Sequence, residues 1–245
     1  MVGLGKARSN PSHIDPPEVR PTLAIRPARR YQSAVTGRGI LTENYEFTTD
    51  WFSRFASVWT QLLTRYPPSR ILEIGSYEGR AACFLIDTCA AERNLELHCV
   101  DSWAGGVEHD TGAMPLVEQR FDRNIAIARA ASPHEVSFHK HKALSSPALV
   151  KLLAEGRQES FDLIYVDGSH QAPDVLSDAV LAFMLLRVGG LLIFDDYLWS
   201  MEGAGQQDFY QMPKPAIDAF INIYQRKMSV LGAPLYQLYT RKVSS

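Results

Sequence analysis

Between residues 70 and 194, short continuous apolar runs alternate with longer segments of helical period, and few folds accommodate that pattern. The runs 70–74 (RILEI), 95–100 (LELHCV), 136–139, 161–166 (FDLIYV) and 191–194 (LLIF) read as strands buried on both faces. Segments 79–91, 114–131, 147–155 and 172–187 between them read as helices. Strict alternation of this kind predicts a parallel sheet covered by helices on both sides. The end of the chain departs from it. After a helix over 215–224, strands over 228–231 and 235–240 flank Gly232-Ala233-Pro234, a connection too short for a crossover and suited to an antiparallel hairpin. The expected class is therefore α/β: a Rossmann-like, doubly wound, mostly parallel sheet of seven strands with a C-terminal antiparallel hairpin.

Upstream of the alternation the chain reads differently. Residues 1–40 hold five of the 14 prolines, and seven Lys/Arg against two Asp/Glu, within a chain whose formal charge is −2. They read as a basic arm that covers the site, bridges two copies of the chain in a homo-oligomer, or stays a loose tail. Residues 41–245 form the main domain, opened by a helical cap over 41–68 in which Thr49 is the expected N-cap. Trp51, Phe52, Phe55, Trp59, Leu62 and Leu63 then recur at helical spacing. No apolar run nears the ~20 residues of a membrane span, and the N-terminus lacks the apolar core of a secretory signal. The near-neutral charge points away from nucleic acid and membrane surfaces. Cys83, Cys89 and Cys99 lack metal-ligand spacing and read as reduced core residues of a cytoplasmic protein.

Chemistry concentrates where strands end. The first strand runs into Glu73-Ile74-Gly75-Ser76-Tyr77-Glu78-Gly79, a turn whose glycines allow a sharp bend and a close approach to a ligand. The G-x-G-x-x-G spacing of dinucleotide binding is missing, which disfavours a nicotinamide dehydrogenase. The second strand ends at Asp101-Ser102-Trp103. An acid at that position accepts hydrogen bonds from ribose hydroxyls, and Trp103 is placed to lie against an adenine. Alone, this turn also fits a plain glycine-rich bend, Asp101 an N-cap and Trp103 a core residue.

The fourth strand ends at Asp167-Gly168-Ser169-His170 and the fifth at Asp195-Asp196-Tyr197. Adjacent strands lie about 5 Å apart, so these carboxylates would repel one another unless a hard cation such as Mg²⁺ joined them. Asp195 and Asp196 point to opposite faces in an extended strand, so both reach one ion only if the chain turns there. His170, with an ordinary pKa of about 6.5, suits a general base at neutral pH. The bland alternative makes Asp167 a helix cap and Asp195-Asp196 a solvated turn. The His139–Lys142 run (HKHK) reads as a strand end, Tyr197, Trp199 and 201–205 as a substrate-facing wall, and His109 as a minor candidate for substrate contact.

ILEIGSYEGRAACFL, CVDSW and the terminal hairpin together resemble the class I S-adenosylmethionine-dependent methyltransferases over roughly residues 45–242. VDGSH followed by a helix and IFDDY resembles their metal-dependent small-molecule O-methyltransferases, of the macrocin (macrolide-sugar) and catechol types. The resemblance implies S-adenosylmethionine as cofactor, with Glu73, Gly75, Ser76, Tyr77 and Gly79 around its methionine part. It implies Asp101, Ser102 and Trp103 at the ribose and adenine, Leu144 and Ser145 near the adenine, and Asp167 beside the cofactor. It also implies Mg²⁺ on Asp167, Asp195 and Asp196, His170 and Asp167 as catalytic residues, and a small hydroxylated acceptor such as a sugar or polyketide. A metal-independent methyltransferase and a non-catalytic S-adenosylmethionine-binding accessory protein remain as alternatives.

Overall fold

The computed structural model describes residues 45–106 and 111–245. The basic arm and His109 lie outside them. Strands β1 (Arg70–Ile74), β2 (Leu95–Asp101), β3 (Val136–Lys142), β4 (Phe161–Val166), β5 (Leu186–Phe194), β6 (Met228–Val230) and β7 (Leu238–Lys242) form one sheet in the order β3-β2-β1-β4-β5-β7-β6. The first five pair in parallel. Strand β7 runs antiparallel between β5 and β6, as the short connection requires.

The period of two along each strand sorts its side chains into two cores. Ile71, Leu97, Leu163, Tyr165 and Ile193 face α1 (Ala56–Arg65), α2 (Arg80–Cys89) and α3 (Met114–Ala131), whose Trp59, Leu85 and Phe121 complete that layer. Leu72, Ile74, Ile164, Leu192 and Phe194 face α4 (Ser145–Ala154), α5 (Ala172–Leu185) and α6 (Pro213–Ile223). No described helix is long and apolar enough to cross a membrane.

Several boundaries differ from expectation, among them the start of β5, at Leu186 where the apolar run begins at residue 191. Thr49 does not open the first helix: the Ser53 amide donates to Asp50 Oδ1 at 3.0 Å, a 3-10 turn spans Ser53–Phe55, and α1 starts at Ala56. Strand β3 continues through the polar HKHK run to Lys142 because backbone pairing with β2 persists to Asp101. Strand β7 is displaced toward the C-terminus and takes in Lys242, which is fully buried. Its ammonium donates to the carbonyls of Phe183 and Leu186 and to Glu159.

A candidate active site at the carboxyl ends of β1, β2, β4 and β5

The sheet order reverses between β1 and β4, and ligands of open α/β sheets bind outside the carboxyl ends of the strands at that switch. Gly75, Asp101, Asp167 and Asp195 all lie there. Among the described residues, four non-glycines have positive φ, and three of them, Tyr77, Trp103 and Asp196, flank this edge. Such backbone costs of order 1–3 kcal/mol each and concentrates at ligand sites.

Gly75 has φ +83°, and a Cβ there would sit 1.8 Å from the Asp167 carbonyl oxygen. The glycine is therefore required by the neighbouring loop, before any ligand is considered. Behind the turn, Glu73 is fully buried and accepts hydrogen bonds from Ser76 Oγ (2.6 Å) and Cys99 Sγ (3.3 Å). Burial pushes its carboxyl up to about 7. Glu73 thus supports the turn, its carboxyl engaged by Ser76 and Cys99 beside the place expected for the cofactor. Asp101 Oδ2 accepts the amides of Ser76 and Tyr77, both at 2.9 Å, and Oδ1 accepts that of Trp103 at 2.7 Å. A carboxylate has about four acceptor directions, so a ribose hydroxyl would take what remains.

Trp103 departs from its expected role. Its ring is buried against Phe121 (centroids 4.7 Å apart) with the Lys140 ammonium 4.4 Å from its centre, and its indole N–H donates to the Tyr77 carbonyl. It is a core residue that braces the turn, and offers no open face to an adenine. Ser102 Oγ accepts the Ala104 amide. Leu144 precedes α4 as its N-cap residue and is exposed, and Ser145 opens that helix.

The three acids do converge. Carboxylate oxygens of Asp167, Asp195 and Asp196 lie within 4.8 Å of one another. Both Asp195 and Asp196 reach the cluster because β5 ends at Phe194 and the chain turns at Asp196, where φ is +54°. Burial, followed by the charge of Asp195 and then of Asp196, holds the Asp167 carboxyl well above its ordinary range. Burial and the charge of Asp196 push Asp195 up to about 6. Among the described residues no Lys or Arg pairs with any of the three. His170 Nε2 lies 2.9 Å from Asp196 Oδ2, and its ring packs on Trp199 at 4.0 Å between centroids. Tyr197, expected in the substrate wall, instead bonds to Asp218 and Lys214 of α6.

A second cluster sits on the outer strands. Ligand-type atoms of Glu96, His98 and His139 lie within 4.8 Å of one another. The HKHK run, which has no acidic neighbour along the chain, receives one from β2. That acid is already taken: Glu96 is paired with Arg70 (2.7 Å) and Arg157 (2.8 Å).

Two residues of structural weight carried no chemical signature in the sequence. Glu78, buried within the glycine turn, accepts from the Thr48 amide and hydroxyl and from Arg120. Asn124 of α3 bonds to the backbone of both Glu46 and Glu78. They clamp the N-terminal segment onto the cofactor-side turn, and only the lone acid between the turn's glycines hinted at it.

A seven-stranded sheet with one antiparallel strand inserted near its end, and with glycine and acidic loops at the carboxyl ends of its central strands, defines a Rossmann-like methyltransferase fold. Solved structures agree. The O-methyltransferase from Bacillus cereus in complex with SAH matches with a TM-score of 0.54 at 17% identity, over 79% of this chain and 83% of that one. The O-methyltransferase TomG from Streptomyces achromogenes, in complex with SAM, matches with a TM-score of 0.52 at 16% identity, over 78% and 80%. Residues 72–197 match the methyltransferase domain family, and the chain belongs to that family. Among curated proteins, caffeoyl-CoA O-methyltransferase 1 of Eucalyptus globulus is 25% identical over 146 residues. That alignment covers 56% of this chain and 58% of the relative, so the chain spans little more than half of the curated relative's length.

Proposed function

We propose that this protein is an S-adenosylmethionine-dependent O-methyltransferase that uses Mg²⁺ and methylates a hydroxyl of a small molecule. The observation that carries this reading is the convergence of Asp167, Asp195 and Asp196 beside the Gly75 turn with no compensating Lys or Arg among the described residues. The donor set fits the ion: three carboxylate oxygens are what a hard divalent cation takes, and burial, with mutual repulsion after it, raises the pKa values of Asp167 and Asp195, which a bound cation would offset. The relatives named as O-methyltransferases support oxygen as the accepting atom.

Asp167, Asp195 and Asp196 would hold the ion, which supplies a lowered hydroxyl pKa and a fixed acceptor oxygen. S-adenosylmethionine supplies a methyl group on a sulfonium centre. The chain does the rest. The Gly75–Gly79 turn, locked by Asp101 onto β2, fixes where the methionine portion lies. Asp101 keeps acceptor capacity for the ribose, and Leu144 and Ser145 border the adenine side. His170, held between Asp196 and the Trp199 ring, accepts the hydroxyl proton at its imidazole nitrogen as the methyl transfers in line. A cytoplasmic setting agrees with three buried, unpaired cysteines.

The test is methyl transfer from labelled S-adenosylmethionine to a panel of phenolic and sugar hydroxyl acceptors, before and after chelation. Activity should vanish with EDTA and return with Mg²⁺. Undiminished transfer after verified metal removal would instead favour acceptor binding by the acids alone.

A further inference from the structure

Asp195 is not held by its own loop alone. Its Oδ2 accepts the Tyr165 hydroxyl and the Gln237 amide at 2.9 Å, while Oδ1 accepts the Asp196 amide at 2.7 Å. Gln237 belongs to the link between β6 and β7 and is fully buried. Its other end meets Trp59 of α1, whose indole nitrogen lies 2.8 Å from Gln237 Oε1, and the Tyr239 hydroxyl donates to the same oxygen.

The polarity of this chain follows from one group. An indole N–H only donates. The Gln237 atom facing Trp59 must therefore be the oxygen, which turns both amide N–H groups toward Asp195 and Tyr165, the latter at 3.4 Å. The amide then makes all four of its hydrogen bonds and cannot flip without stranding buried donors, each costing roughly 1–3 kcal/mol. Asp195 in turn meets two donors on Oδ2 and one on Oδ1, which leaves about one of its acceptor directions, on Oδ1, for the cluster.

We infer that Gln237 is a positioning residue for Asp195 as a metal ligand, with Trp59 setting which face of the amide Asp195 sees. The inference rests on the metal reading above. It ties a helix of the N-terminal cap, through the C-terminal hairpin, to the cation site. Hydrogen-bonded supports of this kind are typically worth about 10–100-fold in metal affinity.

The experiment uses the full-length protein and titrates Mn²⁺, followed by electron paramagnetic resonance, alongside SAH affinity by calorimetry and thermal melting. Gln237→Met keeps the volume and removes every hydrogen bond. It should weaken Mn²⁺ about 10–100-fold and leave SAH affinity unchanged. Trp59→Phe removes the fixed donor together with part of the buried ring, with melting as the control for lost packing, and should weaken Mn²⁺ in the same direction by less; it decides the matter if Gln237→Met fails to fold. A folded Gln237→Met or Trp59→Phe protein that binds Mn²⁺ like the wild type overturns the inference, as does a parallel loss of SAH and Mn²⁺ affinity. Wild-type protein that takes up no Mn²⁺ overturns the metal reading and this inference with it, and that failure is distinct because it appears before any substitution.

Discussion

Among the described residues the protein holds two clusters of metal-ligand-type side chains, and their surroundings are opposite. At the carboxyl ends of β4 and β5, Asp167, Asp195 and Asp196 crowd together without a Lys or Arg partner among the described residues, and the Asp167 and Asp195 carboxyls resist ionisation. On the outer strands, Glu96, His98 and His139 crowd as closely. There burial would raise the Glu96 carboxyl, but hydrogen bonds from Arg70 and His98 and the charges of Arg70 and Arg157 bring it down to about 2. Burial meanwhile holds His98 down to about 4. The first group is short of positive charge and the second is already balanced. Ligand geometry alone does not distinguish a cation site from a structural ion network; the local charge balance does.

The largest expected effect breaks the first cluster. Asp195→Asn should lower methyl transfer by about 100–1,000-fold, the equivalent of several kcal/mol of metal-assisted stabilisation. It should also abolish any rise in melting temperature on adding Mg²⁺; in EDTA the relieved repulsion is set against a buried donor that the new amide nitrogen leaves without an acceptor, a cost of about 1–3 kcal/mol. Retained activity with a retained Mg²⁺ response would remove Asp195 from the site.

The next effect sharpens the contrast through pH. His98 is more acidic in the fold than in the unfolded chain, so the unfolded state binds the extra proton between about pH 6.5 and 4. Stability from this group is full above the unfolded pKa and declines as pH falls through that window, by up to about 3 kcal/mol. His141 is lowered as well, chiefly by burial, and adds in the same sense. The raised carboxyls of Glu73 and Asp195 gain stability over the same window, so the His98 contribution is read as a difference: from pH 7 to 4 the urea midpoint of the wild type should fall further, or rise less, than that of His98→Phe, which keeps the Mg²⁺ response. Parallel profiles for the wild type and His98→Phe across the window count against this reading. The smallest effect is Arg157→Ala. It removes a partly exposed partner while Glu96 keeps Arg70, and should change stability by no more than about 1 kcal/mol, with SAH affinity unaltered.

The sheet was legible in the sequence because its central strands are buried on both faces and so read as unbroken apolar runs. The outer elements were harder. The polar residues of β3 stack or pair along an edge strand, and Lys242 satisfies its ammonium inside the protein, so neither carries the apolar signal of a strand. At the site, the acids could be placed because they terminate strands of one βαβ unit. The burial of Glu73 and Trp103 could not, since a residue beside a ligand and one beneath it occupy the same stretch of sequence. Gln237 was invisible for a related reason. Its partners Trp59, Tyr165 and Asp195 come from three distant segments, and nothing in PLYQLYT marks its glutamine as more than one residue of the expected strand.

The contact at Gly75 sets a limit on redesign. The Asp167 amide donates to Ile74 and its carbonyl occupies the space a Gly75 side chain would need. With no side chain between them to absorb a shift, the cofactor turn and the loop bearing Asp167 behave as one rigid piece. If the proposed function holds, substrate range would be altered through the outer loops after β5, whereas a graft that moves either inner loop alone would misalign the methyl donor and the acceptor together.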